Sequence, residues 1–261
     1  MNTGPPGDWR IGCVRYLNSR PLIHGHRESV LLEHPSALAR DLHAGQLDAA
    51  LVPVYEVFAH PGYRIAEGCG IIARGAVHSV YLAHDSSFPT LTTVALDTAS
   101  LSSAHLIQIL LREEFHLRPD YRPIIPGEAP EPGKGVLLIG DQAFDGLHRW
   151  GNRYHYYDLG EAWQRLTGLP FVFAVWAIHP SAREPERLAE QLRAWMRAGI
   201  ECLEQIASEE PPDFQCEARR YLREHIFFEL QPADREGLAL YGKKLAAHGL
   251  ISQTPENLLF V

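Results

Sequence analysis

LTTVALDTASLSSA, residues Leu91 to Ala104, changes character halfway along. Its first half alternates β-branched and apolar residues and ends at Asp97, the pattern of a strand. Its second half sets Thr98, Ser100, Ser102 and Ser103 within six residues, directly before the amphipathic run His105 to Leu111. The reading is a strand that empties through hydroxyls into a helix over Ser103–Phe115. The first N–H groups of a helix have no partner inside it, and the dipole there favours negative charge. One Ser or Thr at such a place is ordinarily an N-cap. Four hydroxyls together, with the same design elsewhere in the chain, suit an anion cradle.

That design recurs on both sides. Upstream, Trp9 to Tyr16 reads as a strand that runs into Leu17-Asn18-Ser19-Arg20-Pro21-Leu22, and a polar residue shortly before Pro is a helix-entry signature. Asp48 to Val52 is a buried strand stopped by Pro53, with a helix over Val54–Phe58. Downstream, Gly135 to Gly140 is a strand and Asp141 opens the helix after it. Helix starts at the carboxyl edge of strands are where open α/β sheets hold ligands.

The rest fills in around these junctions. Ala37 to His43 is a short helix closed by Gly45. Ile71 to His84 is one long β-rich run able to pass between domains. Tyr121–Ile125 is a strand, Pro126–Lys134 a Pro/Gly loop, Tyr154–Leu159 a strand and Glu161–Thr167 a helix ending at Gly168. Phe171 to Ile178 is a second crossing strand. Helices over Glu184–Glu204, Asp213–Phe228 and Ala233–His248, punctuated by Pro211, Pro212 and Pro232, complete the chain. Two crossings make a two-lobed α/β protein: 1–78 plus 177–261 form one discontinuous lobe that ends in helices, and 79–176 form an inserted lobe. The ligand site is expected in the cleft between them.

Composition narrows the class. The chain has 261 residues, 46% hydrophobic and 21% charged, ordinary for a globular protein. No stretch approaches the roughly 20 apolar residues of a membrane span. The start, MNTGPPGDWRIGCVRYLN, lacks a basic region followed by an apolar one, so a cytoplasmic protein without a signal peptide is expected. Cys13, Cys69, Cys202 and Cys216 are widely spaced and read as reduced thiols. A net charge of −8 without a basic block argues against nucleic acid. Fourteen histidines include no HExxH, and His24 and His26 lack an evident ligand partner. There is no phosphate-binding Gly-rich loop and no GxSxG elbow.

Six segments, taken in order, resemble one family: IGCVRYLNSRPL (11–22), LDAALVPVYEVF (47–58), GAVHSVYL (75–82), VALDTASLSS (94–103), LLIGDQAF (137–144) and DLGEAWQRLTGLPFVFAVWA (158–177). The chain is similar over these segments to the chorismate dehydratase family of the futalosine route to menaquinone. Leu101 stands where the family pattern often has an arginine, so the hydroxyls are kept and the guanidinium is not. The resemblance implies a type II periplasmic-binding-protein-like fold and loss of water from chorismate to give 3-enolpyruvylbenzoate. It implies no metal and no organic cofactor.

Chorismate is a dianion, so such a site needs carboxylate holders. Ser102 and Ser103, with Ser100, are expected to take one carboxylate. Asn18 and Ser19 would approach from the opposite lobe, and Ser79 would donate from the first crossing strand. Asn18 and Ser79 are the catalytic candidates, and the base is either another group or the substrate's own carboxylate, oriented by Asn18. Asp141, first a helix cap, and Trp176, core or cleft wall, are further binding candidates. Arg15 and Arg20 could add positive charge. A non-catalytic binder of a small cyclic carboxylate, or a related lyase, is the alternative.

Overall fold

Two mixed β-sheets organise the chain, which is seen here in a computed structural model describing residues 9–85, 88–97, 100–125, 127–252 and 258–261. Thr98 and the loop residue Pro126 lie outside the described residues.

The chain opens with β1 (Ile11–Cys13), a 3-10 turn (Leu17–Leu22), β2 (Leu31–Leu32) and α1 (Pro35–His43). It continues through β3 (Ala49–Pro53), α2 (Tyr55–Ala59) and β4 (Arg64–Ala73) before crossing to β5 (Val80–His84). Then come β6 (Thr93–Leu96), α3 (Leu101–Glu114), β7 (Asp120–Pro123), β8 (Lys134–Ile139) and α4 (Asp141–Trp150). β9 (His155–Asp158) and α5 (Leu159–Thr167) lead back to β10 (Phe171–Ile178). The end is α6 (Pro185–Glu201), α7 (Leu203–Ser208), α8 (Gln215–Arg220), a π-helical turn (Tyr221–His225), α9 (Pro232–Ala247) and β11 (Leu259–Phe260).

The first sheet runs β11-β4-β10-β3-β1-β2 and the second β7-β6-β8-β5-β9. In each, a central strand pairs in parallel with two neighbours: β1 with β2 and β3, β6 with β7 and β8. In each, one antiparallel strand that enters just after a crossing is inserted beside that set, β10 in the first sheet and β5 in the second. The two sheets are therefore the same topological unit used twice. β3, β5 and β10 are covered on both faces, which explains why AALVP and FVFAVWAI are nearly continuous apolar runs. Aromatic packing ties α5, β10 and α9 together. Trp163 meets Phe171 and Tyr241 edge-on and donates its indole N–H to the Pro170 carbonyl at 3.0 Å.

Four expectations change. Ile71–His84 is two strands in two sheets, because the chain leaves β4 at Ala73 and rejoins order at Val80 through a link containing Gly75 at φ 137°. Phe171–Ile178 does not cross: β10 pairs with β4 from Phe171 to Ile178, so residues 171–176 belong to the first sheet and the return passes through α5. The 3-10 turn replaces the helix expected after β1, and Pro21 sits inside it. Asp213–Phe228 is α8 and the π turn only. The chain is extended again at Ile226, where Phe227 bridges to Ile72.

Candidate active site

The carboxyl ends of β3 and β8, the segment after β1 and the start of α3 after β6 come together around one pocket. The pocket there is narrow, with a cavity volume of about 60 Å3, and is partly open to solvent. Its walls come from both sheets: Val14, Tyr16 and Asn18 after β1, Val52 and Pro53 at the end of β3, Ser79 on the link, Ser100 and Ser103 at the start of α3, Gly140 after β8, and Phe173 on β10.

Of the residues singled out in the sequence, Asn18, Ser79, Ser100 and Ser103 line this pocket. Ser100 is the N-cap of α3 without making a side-chain cap, and its Oγ lies 3.0 Å from that of Ser103. The pair therefore keeps hydroxyl donors at the mouth of a 14-residue helix, where the dipole adds to them. Asn18 Nδ2 donates to the Tyr221 hydroxyl at 3.2 Å, and the Ser79 and Tyr221 hydroxyls are 2.8 Å apart. Asn18 Oδ1 is buried and has no hydrogen-bond partner. Buried polar atoms are nearly always satisfied, so this acceptor stands out.

Four other expected residues do different work. Ser19 is fully buried, and its Oγ lies 2.8 Å from the Val14 carbonyl and 2.7 Å from that of Tyr16, closing the turn that presents Asn18. The hydroxyl of Ser102 accepts from the Tyr55 N–H at 3.1 Å, and its carbonyl accepts from the Tyr241 hydroxyl at 3.0 Å. It thus joins α3 to α2 and α9 and is not among the residues that line this pocket. Trp176 is fully buried in β10 away from the pocket, with its indole nitrogen unpaired. Asp141 lines a neighbouring groove with Phe144 and Glu210, and its carboxylate accepts from the Leu17 N–H. Arg20 pairs with Glu210, and Arg15 donates to the Leu32 carbonyl at 2.7 Å. Neither arginine lines the pocket.

The link carrying Ser79 is itself held. Asp158, the N-cap of α5, accepts from Gly160 and Glu161 in its own helix. It also accepts from Val77 N–H at 3.0 Å and His78 N–H at 2.8 Å. His78 adopts φ 58°, a conformation costly for a side chain with a Cβ, and these bonds pay part of that cost. The Ser79 carbonyl then accepts from Gly140 N–H at 2.7 Å, fixing the link to the start of α4.

Tyr221, Tyr16 and Asp158 were not singled out in the sequence. Asp158 and Glu161 do show the spacing of a helix start, so its cap was legible, whereas its bonds to residues 77 and 78 were not. Tyr221 sits in an apparently unbroken helical run, and nothing local marks it. Burial pushes the Tyr16 phenol up to about 12, aided by Asp97 and Asp141, and burial raises Tyr221 further. Among the described lining residues there is no Asp, Glu, His, Lys or Arg. The pocket is mostly apolar and neutral, with its polar side chains confined to Tyr16, Asn18, Ser79, Ser100 and Ser103.

Two lobes of this topology closing on a ligand cleft are the architecture of solute-binding proteins. Among solved structures the chain resembles the alkanesulfonate-binding protein of Xanthomonas axonopodis pv. citri bound to MOPS, with TM-score 0.68 and 14% identity over 98% of this chain and 97% of that one. Residues 9–247 match the family model described as menaquinone biosynthesis, and the chain belongs to that family. It is 32% identical to a chorismate dehydratase of Thermus thermophilus, covering 90% of this chain and 94% of the relative. It is 25% identical to a chorismate dehydratase of Campylobacter jejuni, covering 90% and 92%.

Proposed function

We propose that this protein removes water from chorismate to give 3-enolpyruvylbenzoate, in the cytoplasm and on the futalosine route to menaquinone. The likeness to chorismate dehydratases over nine-tenths of the chain carries the reading. The neutral pocket supports a particular way of doing it.

In this reaction a ring C–H bond breaks, its electron pair enters the ring, and the C–O bond to the ring hydroxyl breaks as the ring becomes aromatic. Aromatisation drives the step, so the protein chiefly has to position the ring and steady the departing oxygen. No described lining group of the protein titrates near neutrality, and Tyr16 and Tyr221 are held protonated. The proton acceptor in this reading is therefore a carboxylate of the substrate. The acid so formed returns the proton to the departing hydroxide, which leaves as water, and the carboxylate is regenerated. One carboxylate sits at the start of α3 against Ser100 and Ser103. Asn18 and Ser79 meet the reacting edge of the ring. The two lobes, taken as residues 1–78 with the C-terminal part of the chain and an insertion from 79, close over it.

The test is direct. Purified protein is mixed with chorismate, without added metal or nucleotide, and products are followed by mass and ultraviolet absorbance. A species lighter by one water, with a benzoate-type spectrum and formed faster than without protein, supports the reading. Unchanged chorismate with a raised melting temperature would instead favour a non-catalytic binder, the role of the solved protein of the same fold bound to MOPS.

A further inference from the structure

We propose that Tyr221 is a positioning residue that sets which hydrogen-bonding group of the cleft donates to the substrate and which accepts; the substrate itself is that of the proposed function. The Asn18 amide nitrogen can only donate, and it donates to the Tyr221 oxygen. The Tyr221 proton then has one acceptor within reach, the Ser79 Oγ at 2.8 Å. Ser79 is 1% exposed and Tyr221 is 2% exposed, so the bond between them is shielded from bulk water. The Ser79 proton is thereby left for the ligand, and Asn18 Oδ1, buried and unpaired, is left as an acceptor.

A donor and an acceptor side by side on one phenol suit a hydroxyl group, which can give its proton to Asn18 and take a hydrogen bond from Ser79. They do not suit a carboxylate, which has no proton for Asn18. The pair therefore clamps the alcohol that leaves the ring, and Ser79 stabilises the oxygen as its C–O bond lengthens. Tyr221 reaches this position from the far end of the chain. Its ring packs edge-on against Phe144 of α4 at 5.1 Å, and it begins a π-helical turn, a geometry often found where a helix serves a site.

Tyr221→Phe removes one oxygen and keeps the ring packing. With chorismate, kcat should fall about tenfold or more while KM changes less than about threefold. Tyr221→Phe added to Ser79→Ala should cost no more than the worse single variant, since both act on one group. Leu222→Ala, a buried neighbour without a hydroxyl, serves as a control: it should lower the melting temperature and leave kcat near wild type. A kcat within twofold of wild type for Tyr221→Phe, or losses that multiply in the double variant, would overturn the proposal. A readout independent of chorismate comes from the side-chain amide signals of Asn18 in nitrogen-15-labelled, ligand-free protein. They should move on Tyr221→Phe, and unmoved signals would overturn the positioning role even if chorismate proves to be the wrong substrate.

Discussion

The hydroxyls of α3 are distinguishable only one residue at a time. Ser102 and Ser103 are adjacent and equally buried, yet one ties Tyr55 N–H across to α2 and the other faces the pocket with Ser100. Ser102→Ala should cost about 1–3 kcal/mol of stability, because it orphans a backbone N–H, and should leave KM unchanged. Ser103→Ala should raise KM with little loss of stability, and thermal melts with steady-state kinetics separate the two cases. Asn18→Ala should cut kcat far more than it raises KM; equal losses in both would reduce Asn18 to a binding contact. The sequence showed that hydroxyls cluster here. It could not show which way each points, since that depends on α2 and α9, which are distant in the chain.

At the scale of elements, the site depends on a short turn and a short link. The turn Leu17–Leu22 has no side-chain N-cap; Ser19 within it bonds back to the carbonyls of Val14 and Tyr16, and α6 approaches it closely from outside. A Cβ on Gly199 of α6 would fall well inside contact distance of the Pro21 carbonyl, so the two backbones touch. Gly199→Ala should therefore push the turn away, lowering the melting temperature and kcat together, by about 1–3 kcal/mol or more in stability. Replacement of Asp158 by Ala should act the same way on the link, releasing the N–H groups of Val77 and His78. The strand-to-helix junctions around Pro53, Ser100 and Asp141 were legible because each is a local switch from an apolar run to turn and helix-start residues, although none of the three helices carries a side-chain cap. The splitting of Ile71–His84 was not, because an apolar run reads alike whether it lies in one sheet or two.

At the scale of the molecule, the repeated sheet order follows from chain order alone once both crossings are known, but the return crossing was read one element late. β10 is apolar along its whole length because it lies between β3 and β4, and no local feature distinguishes that from a crossing strand. The whole chain also carries a pH dependence. Burial lowers the pKa of His26, His60, His105 and His225 from the usual 6.5. The unfolded chain binds their protons first, so stability is fully kept above about pH 6.5 and falls as pH drops through that value towards the lowered ones. Asp48 and Glu113 are held below the usual carboxylate range by Arg10, and by His248 and Lys244, so their contribution is lost only at lower pH. The melting temperature should thus fall between pH 7.5 and about 5.5. His105→Phe, which can keep the stack on Tyr55 at 3.9 Å, should flatten that fall.

We read the cleft as one that dehydrates its substrate without a base of its own. The pH dependence of kcat with chorismate tests this most directly. Between about pH 7 and 9 the profile should be flat, because the substrate carboxylates are ionised throughout and no described lining group of the protein titrates in that range. A limb within that range that moves or disappears when one side chain is replaced would name a protein base and contradict the account.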